Sequence, residues 1–314
     1  MIIDILWVVL GLTLLIFGGD FLVKGAVGIA AKAKLSKLVI GMTVVAFGTS
    51  SPELIVSLQS ASQGFPEIAI GNVMGSNIAN LGLVLGITVL IFPMPVSRNS
   101  IRYDWPTMMI ATLLFWIFIS DLQIQRWEGI VLFAILIAFI IFIIVKSRSD
   151  QKNISSGVET NESVASKTPF YNHLFFLGLG FVGLYFGSNL LVGSSVSLAK
   201  ELGWSNHVIG ITVVAFGTSV PELATSCVAA YKKETDISVG NLIGSNIFNL
   251  LAVLGLTSIV DPIPVESEVL SYDIFWVVGI SLLLFPMMIY KRKIGRIGGV
   301  ALLGIYVTYI ALLF

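Results

Sequence analysis

Apolar residues run together along nearly the whole chain, interrupted at short intervals by a few polar or charged positions. A run of about 18 or more such residues crosses the hydrocarbon layer of a bilayer as one helix. The pattern predicts ten crossings, over 3–30, 37–61, 67–92, 103–120, 127–146, 170–199, 206–230, 237–260, 271–290 and 295–313. A single long polar stretch, "KSRSDQKNISSGVETNESVASKTP", separates the fifth from the sixth and reads as a flexible linker. The expected division is a first unit over 1–146, a linker over 147–169 and a second unit over 170–314.

Composition agrees with this reading. Of 314 residues, 56% are hydrophobic and 11% charged, with a mean hydropathy of +0.96; soluble domains carry about 25% charged residues. The fold class is an all-α integral membrane protein whose main partner is the lipid bilayer. Zero net charge offers nothing for nucleic acid to recognise. The one cysteine, Cys227, reads as a packing residue and excludes an internal disulfide or a multi-cysteine metal site. The opening "MIIDILWVVLGLTLLIFGGDFLV" lacks a basic leader and a cleavage motif, so it reads as the first span.

Lysine and arginine give the orientation. With the N-terminus outside, fifteen of them fall in inner loops, while only Arg126 and Lys200 fall outside and Lys24 lies within the first span. Both termini are expected outside a cell membrane and the linker in the cytoplasm. That placement argues against glycosylation at Asn153 and Asn161.

A shift of 169 residues aligns the two halves without a gap from Gly41/Gly210 to Gly86/Gly255, with more than half the positions identical. "VVAFGTSSPEL" (44–54) returns as "VVAFGTSVPEL" (213–223), and "GNVMGSNIAN" (71–80) as "GNLIGSNIFN" (240–249). A weaker match joins "FGGDFLV" (17–23) to "FGSNLLV" (186–192). The repeat cores lie at about 37–92 and 206–260. Five crossings per half is an odd number, so the second half enters the membrane inverted. Inverted five-helix repeats are a transporter architecture, with the site at the repeat interface near the midplane.

Of eighteen acidic residues, only Asp20, Glu53 and Glu222 lie well inside predicted spans. An ionised group there costs at least about 2.5–3.5 kcal/mol. Glu53 and Glu222 occupy equivalent repeat positions and so converge on one pseudo-two-fold axis. Facing carboxylates repel, and one takes up a proton unless a cation sits between them. A divalent cation, Na+ ions or protons can all neutralise the pair, and a site held in turn by competing cations is the core of an antiporter.

The neighbours suit a hard cation. Thr49 and Ser50 share a helical face with Glu53, as Thr218 and Ser219 do with Glu222. Pro52 and Pro221 crowd the carbonyls of Gly48 and Gly217, which should kink each helix and free carbonyls over Ala46–Gly48 and Ala215–Gly217 as ligands. Ser76 with Asn80, and Ser245 with Asn249, are spaced i, i+4; interhelical bonding is their other reading. Oxygen donors without His or Cys select Ca2+ or Na+. Asn72, Asn77, Asn241 and Asn246 are expected to pack helices or support the ligands, and Asp20 to pair locally with Lys24. His173 and His207 stand apart, and no base lies near Ser50 or Ser219. An enzyme is therefore not expected.

"GTSSPE…GSNIAN" and "GTSVPE…GSNIFN" resemble the two alpha-repeats of the calcium/cation antiporter superfamily, closest to sodium/calcium exchangers of the prokaryotic type. The resemblance covers the ten-span layout of the whole chain and implies Ca2+ and Na+ as transported ions, with no cofactor. It implies that Glu53, Glu222, Thr49 and Thr218 hold Ca2+. Ser50, Ser76, Ser219 and Ser245, with the carbonyls of Ala46 and Ala215, would hold Na+, around Asn80 and Asn249 at the centre. Some relatives carry aspartate at the position of Asn249; asparagine there resembles the potassium-independent branch. "GTSxPE" differs from the Gly-Asn-x-x-Glu core of proton/calcium exchangers, although H+ coupling remains the alternative, ahead of a cation channel. The first and sixth spans are expected to slide against the rest. One chain holds the whole site, so a monomer suffices.

Overall fold

The computed structural model describes residues 2–64, 66–155, 169–202 and 215–312. Helix α1 (Ile2–Ala33) is followed by the bent pair α2 (Lys37–Thr49) and α3 (Ser51–Ser62), then α4 (66–91), α5 (100–118) and α6 (Arg126–Ser155). The second half holds α7 (Phe170–Glu201), α8 (Ala215–Thr218), α9 (Val220–Tyr231), α10 (Thr235–Val260), α11 (269–289) and α12 (Arg296–Leu312). Among the described residues, seven helices are long and apolar enough to cross a membrane. The α2–α3 pair, bent by 43°, is an eighth if it counts as one span, and α12 is apolar but shorter. The expected span 206–230 begins outside the described residues.

The expected linker starts as helix, because α6 continues to Ser155. Two contacts extend it: Lys146 pairs with Asp150 at 2.8 Å one turn on, and Ser147 Oγ accepts from the Ser36 amide at 2.9 Å.

Helices α4 and α10 form the centre, with 72% and 78% of their spans buried against 22–39% for the other uninterrupted spans. They carry the two GNxxGSN segments, whose small and polar residues suit contact on every side. The halves interlock around them. On α10, a Cβ at Gly240 would fall 2.5 Å from the Leu38 carbonyl of α2, and one at Gly244 2.7 Å from Met42 Cα. Only glycine lets these backbones touch. Repeat-related seams hold the outer helices: α6 on α10 through Gly129 and Gly255, and α12 on α4 through Gly299 and Gly86.

Helix α1 packs antiparallel on α7 along its length. Gly11, Gly18 and Gly25 meet the backbone amides of Leu191, Leu184 and Leu177, where an added Cβ would lie 2.8, 2.8 and 2.6 Å away. The seven-residue step on both strips is that of two helices crossing at a shallow angle. Asp20 does not pair with Lys24. It faces the end of α9 and forms an ion pair with Lys232, while the Lys24 ammonium lies 4.4 Å over the Phe176 ring of α7. Helix–helix packing, not sequence spacing, chooses both partners.

Two short ladders tie the halves together at the helix ends. Strand β1 (Met94–Pro95) pairs antiparallel with β4 (Lys293–Ile294), and β2 (Gln123–Ile124) with β3 (Ile263–Pro264). Wide π-turns interrupt the helices at Gly41–Val45, Asn80–Val84, Ser100–Asp104, Asn249–Val253 and Val269–Asp273. Asn80 and Asn249 each open one of them, at equivalent repeat positions. Such turns concentrate at functional sites.

Candidate ion-binding site

Both GTSxPE segments break at the same residue. Ser50 has φ −89° and ψ 5°, and Ser219 has φ −88° and ψ 2°. The proline two residues on lacks an N–H and occupies the second position of the new helix, where no donor is needed. Glu53 and Glu222 therefore sit in the first turn of α3 and α9, at the positive end of each helix dipole. Both are fully buried.

In the first repeat the break frees fewer carbonyls than expected. The Ala46 carbonyl stays bonded, accepting from the Ser50 amide at 2.9 Å and lying 3.3 Å from Thr49 Oγ1. Phe47 accepts from Ser51 Oγ at 2.6 Å. A proline releases the carbonyl four residues before it, which is Gly48 for Pro52 and Gly217 for Pro221. Ser188 of α7 donates to the Gly217 carbonyl at 3.0 Å, and Phe181 of the same helix lies against Gly48. Helix α7 thus rests across both breaks. Ala215 opens the short helix α8.

Around Glu222 the buried hydroxyls of Thr49, Ser50 and Ser245 gather. Ser50 Oγ donates to Glu222 Oε1 at 3.0 Å, and Ser245 Oγ lies 3.5 Å from the same oxygen. Thr49 Oγ1 donates to Asn241 Oδ1 at 3.1 Å and lies 3.5 Å from Ser245 Oγ. Asn249 Nδ2 donates to Asn77 Oδ1 at 3.1 Å. Ser76, Asn80 and Ser219 are buried, while Thr218 is half-buried. One bond is symmetric between the repeats: Asn72 donates to Ser57 at 3.1 Å, and Asn241 to Ser226 at 3.0 Å.

Asn77 and Asn241 thus bond two of the expected site residues, Asn249 and Thr49. Asn241 takes the Thr49 hydroxyl hydrogen, which leaves that oxygen's lone pairs for a cation. Their signal in the sequence is the repeat itself, since each recurs at its equivalent position in both GNxxGSN segments. Ser188 carries no such signal, because its repeat counterpart is Gly19.

Several buried oxygens have no protein donor: both of Glu53, Oε2 of Glu222, the hydroxyls of Ser76 and Ser219, and the amide oxygens of Asn80 and Asn249. Leaving buried carboxylate oxygens unpaired costs several kcal/mol. Oxygen-binding cations such as Ca2+ and Na+ would satisfy this set. Among the described residues no group of three His, Cys, Asp or Glu side chains is arranged to hold a metal, so charge at the site comes from the two glutamates.

Fold and donor set together suit a membrane transporter of hard cations. The chain belongs to the sodium/calcium exchanger protein family, whose profile matches residues 3–145 and 172–314. It is similar to the sodium/calcium exchanger MaX1 of Methanosarcina acetivorans, at 32% identity over 99% of each chain. It also resembles the inner membrane protein YrbG of Escherichia coli, at 32% identity over 98% of this chain and 95% of the relative. Among solved structures, the sodium-calcium exchanger NCX_Mj superposes with a TM-score of 0.85 at 33% identity, covering 100% of this chain and 99% of that one. Relatives it matches are named exchangers and antiporters.

Proposed function

We propose that this protein exchanges Na+ for Ca2+ across a cell membrane by alternating access, with Glu53 and Glu222 as ligands shared by both ions. The observation that carries the reading is the pair of fully buried, repeat-related carboxylates set among hydroxyl and amide oxygens without donors of their own. One Ca2+ balances two carboxylates. Na+ ions on the Ser50, Ser76, Ser219 and Ser245 side of the site balance the same charge, so the two loads exclude each other. Thr49 and Thr218 complete the Ca2+ shell, and the carbonyls of Ala46 and Ala215 contribute to Na+. For Ala46 this requires the Thr49 hydroxyl to turn away from its carbonyl. Asn80 and Asn249 fill the centre without adding charge, which favours a K+-independent cycle.

In this reading ten spans form two inverted repeats, with both termini outside and the linker in the cytoplasm. The packed pair α1–α7 moves as a unit over the core. Because α7 touches both helix breaks, that movement opens the site to one side at a time. Protons compete for the same two carboxylates, and the bare oxygens of Glu53 favour H+-coupled divalent exchange as the second reading. The test is Glu53→Gln in proteoliposomes, expected to abolish both Ca2+ and Na+ transport. Retained Na+-driven Ca2+ flux would remove Glu53 from the site.

A further inference from the structure

Between the end of α11 and the start of α12 lies a groove of about 630 Å³, remote from the ion site. Its apolar lining comes from Pro286, Met287, Ile297 and Ala301. At one end stand Lys291, Lys293 and Arg296, all exposed, and among the described residues none of the three forms an ion pair. Lys291 is held out by a left-handed backbone (φ 52°), and its ammonium lies 5.4 Å from the Tyr290 ring centroid. Lys293 is fixed by its pairing with Pro95. Ile297 is 88% exposed beside this cluster, at the end of an apolar span.

The inverted counterpart shows that the fold itself does not need these charges. Residues 119–126 repeat the same path: a tight turn at Ile119–Asp121, a left-handed residue at Leu122 (φ 61°), strand β2 and the start of α6. Their chemistry differs. Asp121 and Gln123 stand where the second repeat has Lys291 and Lys293, and the single base Arg126 is engaged with the Val260 carbonyl at 3.3 Å. A general excess of bases on one membrane side accounts for the sign of the charge at 291–296. It does not account for an apolar groove ending at that charge. Basic pockets between transmembrane helices bind anionic lipid head groups, and the volume lies within the usual range for ligand sites.

We infer that the groove between α11 and α12 binds one anionic phospholipid, its phosphate on Lys291, Lys293 and Arg296 and an acyl chain along Met287, Ile297 and Ala301. A free phosphate would use the bases and leave the apolar lining unfilled. Helix α12, one wall of the groove, packs farther along against the π-turn opened by Asn80, where Gly82 meets Tyr306 at 2.8 Å from an added Cβ. The inference does not depend on which ions are exchanged.

The test is native mass spectrometry of the purified full chain titrated with phosphatidylglycerol, phosphatidylcholine or inorganic phosphate. A one-lipid adduct specific to phosphatidylglycerol is expected. At about five-fold per base, the triple variant Lys291→Gln/Lys293→Gln/Arg296→Gln should weaken it roughly 100-fold. Ala301→Trp fills the groove without changing charge and should also lose the adduct. Cysteine labelling of the 156–168 segment checks that the variants keep their orientation. Equal retention of phosphatidylcholine, phosphatidylglycerol binding unchanged in the triple variant, or full binding in Ala301→Trp would each overturn the inference. Competition by inorganic phosphate alone would assign the bases to a soluble anion and overturn it as well.

Discussion

Thr49→Val removes one hydroxyl while keeping the branched shape of the side chain, at a position only 1% exposed. In the native protein that hydroxyl donates to Asn241 Oδ1 at 3.1 Å and has the Ala46 carbonyl at 3.3 Å. The substitution has two consequences. Asn241 Oδ1 loses its donor in a fully buried place, which costs about 1–3 kcal/mol, although Asn241 still holds Ser226 at 3.0 Å through its other atom. The cation also loses one oxygen. If the ligand is worth the same order as the bond, half-saturating Ca2+ should rise about 5- to 150-fold. The assay is Na+-driven uptake of radiolabelled Ca2+ into proteoliposomes across a Ca2+ series, with thermal unfolding measured on the same preparation. Asn241→Leu completes a double-mutant cycle. The two residues share one bond, so a coupling of at least about 0.5 kcal/mol is expected. Wild-type half-saturation in Thr49→Val, or strict additivity in the cycle, would refute the idea that Asn241 aims the Thr49 oxygen at the ion.

Asn249→Asp adds a third carboxylate beside the two glutamates, so one divalent ion no longer balances the site. Slower Ca2+ release or a new response to K+ is expected in exchange measured with and without K+, and an unchanged ion profile would count against Asn249 as a ligand. Gly18→Leu would drive a side chain into α7, where even a Cβ lies 2.8 Å from the Leu184 amide and 2.9 Å from the Gly183 carbonyl carbon. Overpacking of about 1–3 kcal/mol should slow exchange with little change in half-saturating Ca2+. Gly71→Ala is its control, since a Cβ there meets nothing within 4 Å and exchange should be unaffected.

Much of this architecture was legible because the membrane imposes a simple code. Apolar length located the helices, and the 169-residue repeat located Glu53, Glu222 and their hydroxyl neighbours without any coordinates. The errors share a cause, which is that local rules see only local partners. Spacing offered Lys24 to Asp20, but packing gave it Lys232 from a helix more than 200 residues away. The proline rule implied freed carbonyls as far back as Ala46, whereas the amide of Ser50 retains that carbonyl. Helix α6 outruns its apolar run because Lys146–Asp150 and Ser147 carry it into a polar segment that reads as linker. The π-turns at Asn80 and Asn249 left no trace, since one extra residue in a turn does not disturb a run that is apolar on all sides. Asn77 and Asn241 were legible as supports but not by target, because what they support comes from the opposite repeat.

The most direct test of the exchanger reading is uptake of radiolabelled Ca2+ into liposomes holding the purified protein. Outward gradients of Na+, K+ and H+ are compared one at a time. The account expects uptake driven by the Na+ gradient, absent with K+ alone, and lost in Glu53→Gln. Uptake driven by H+ and not by Na+ would move the protein to the proton-coupled reading. Ca2+ passage without any counter-cation would contradict obligatory exchange at a shared site.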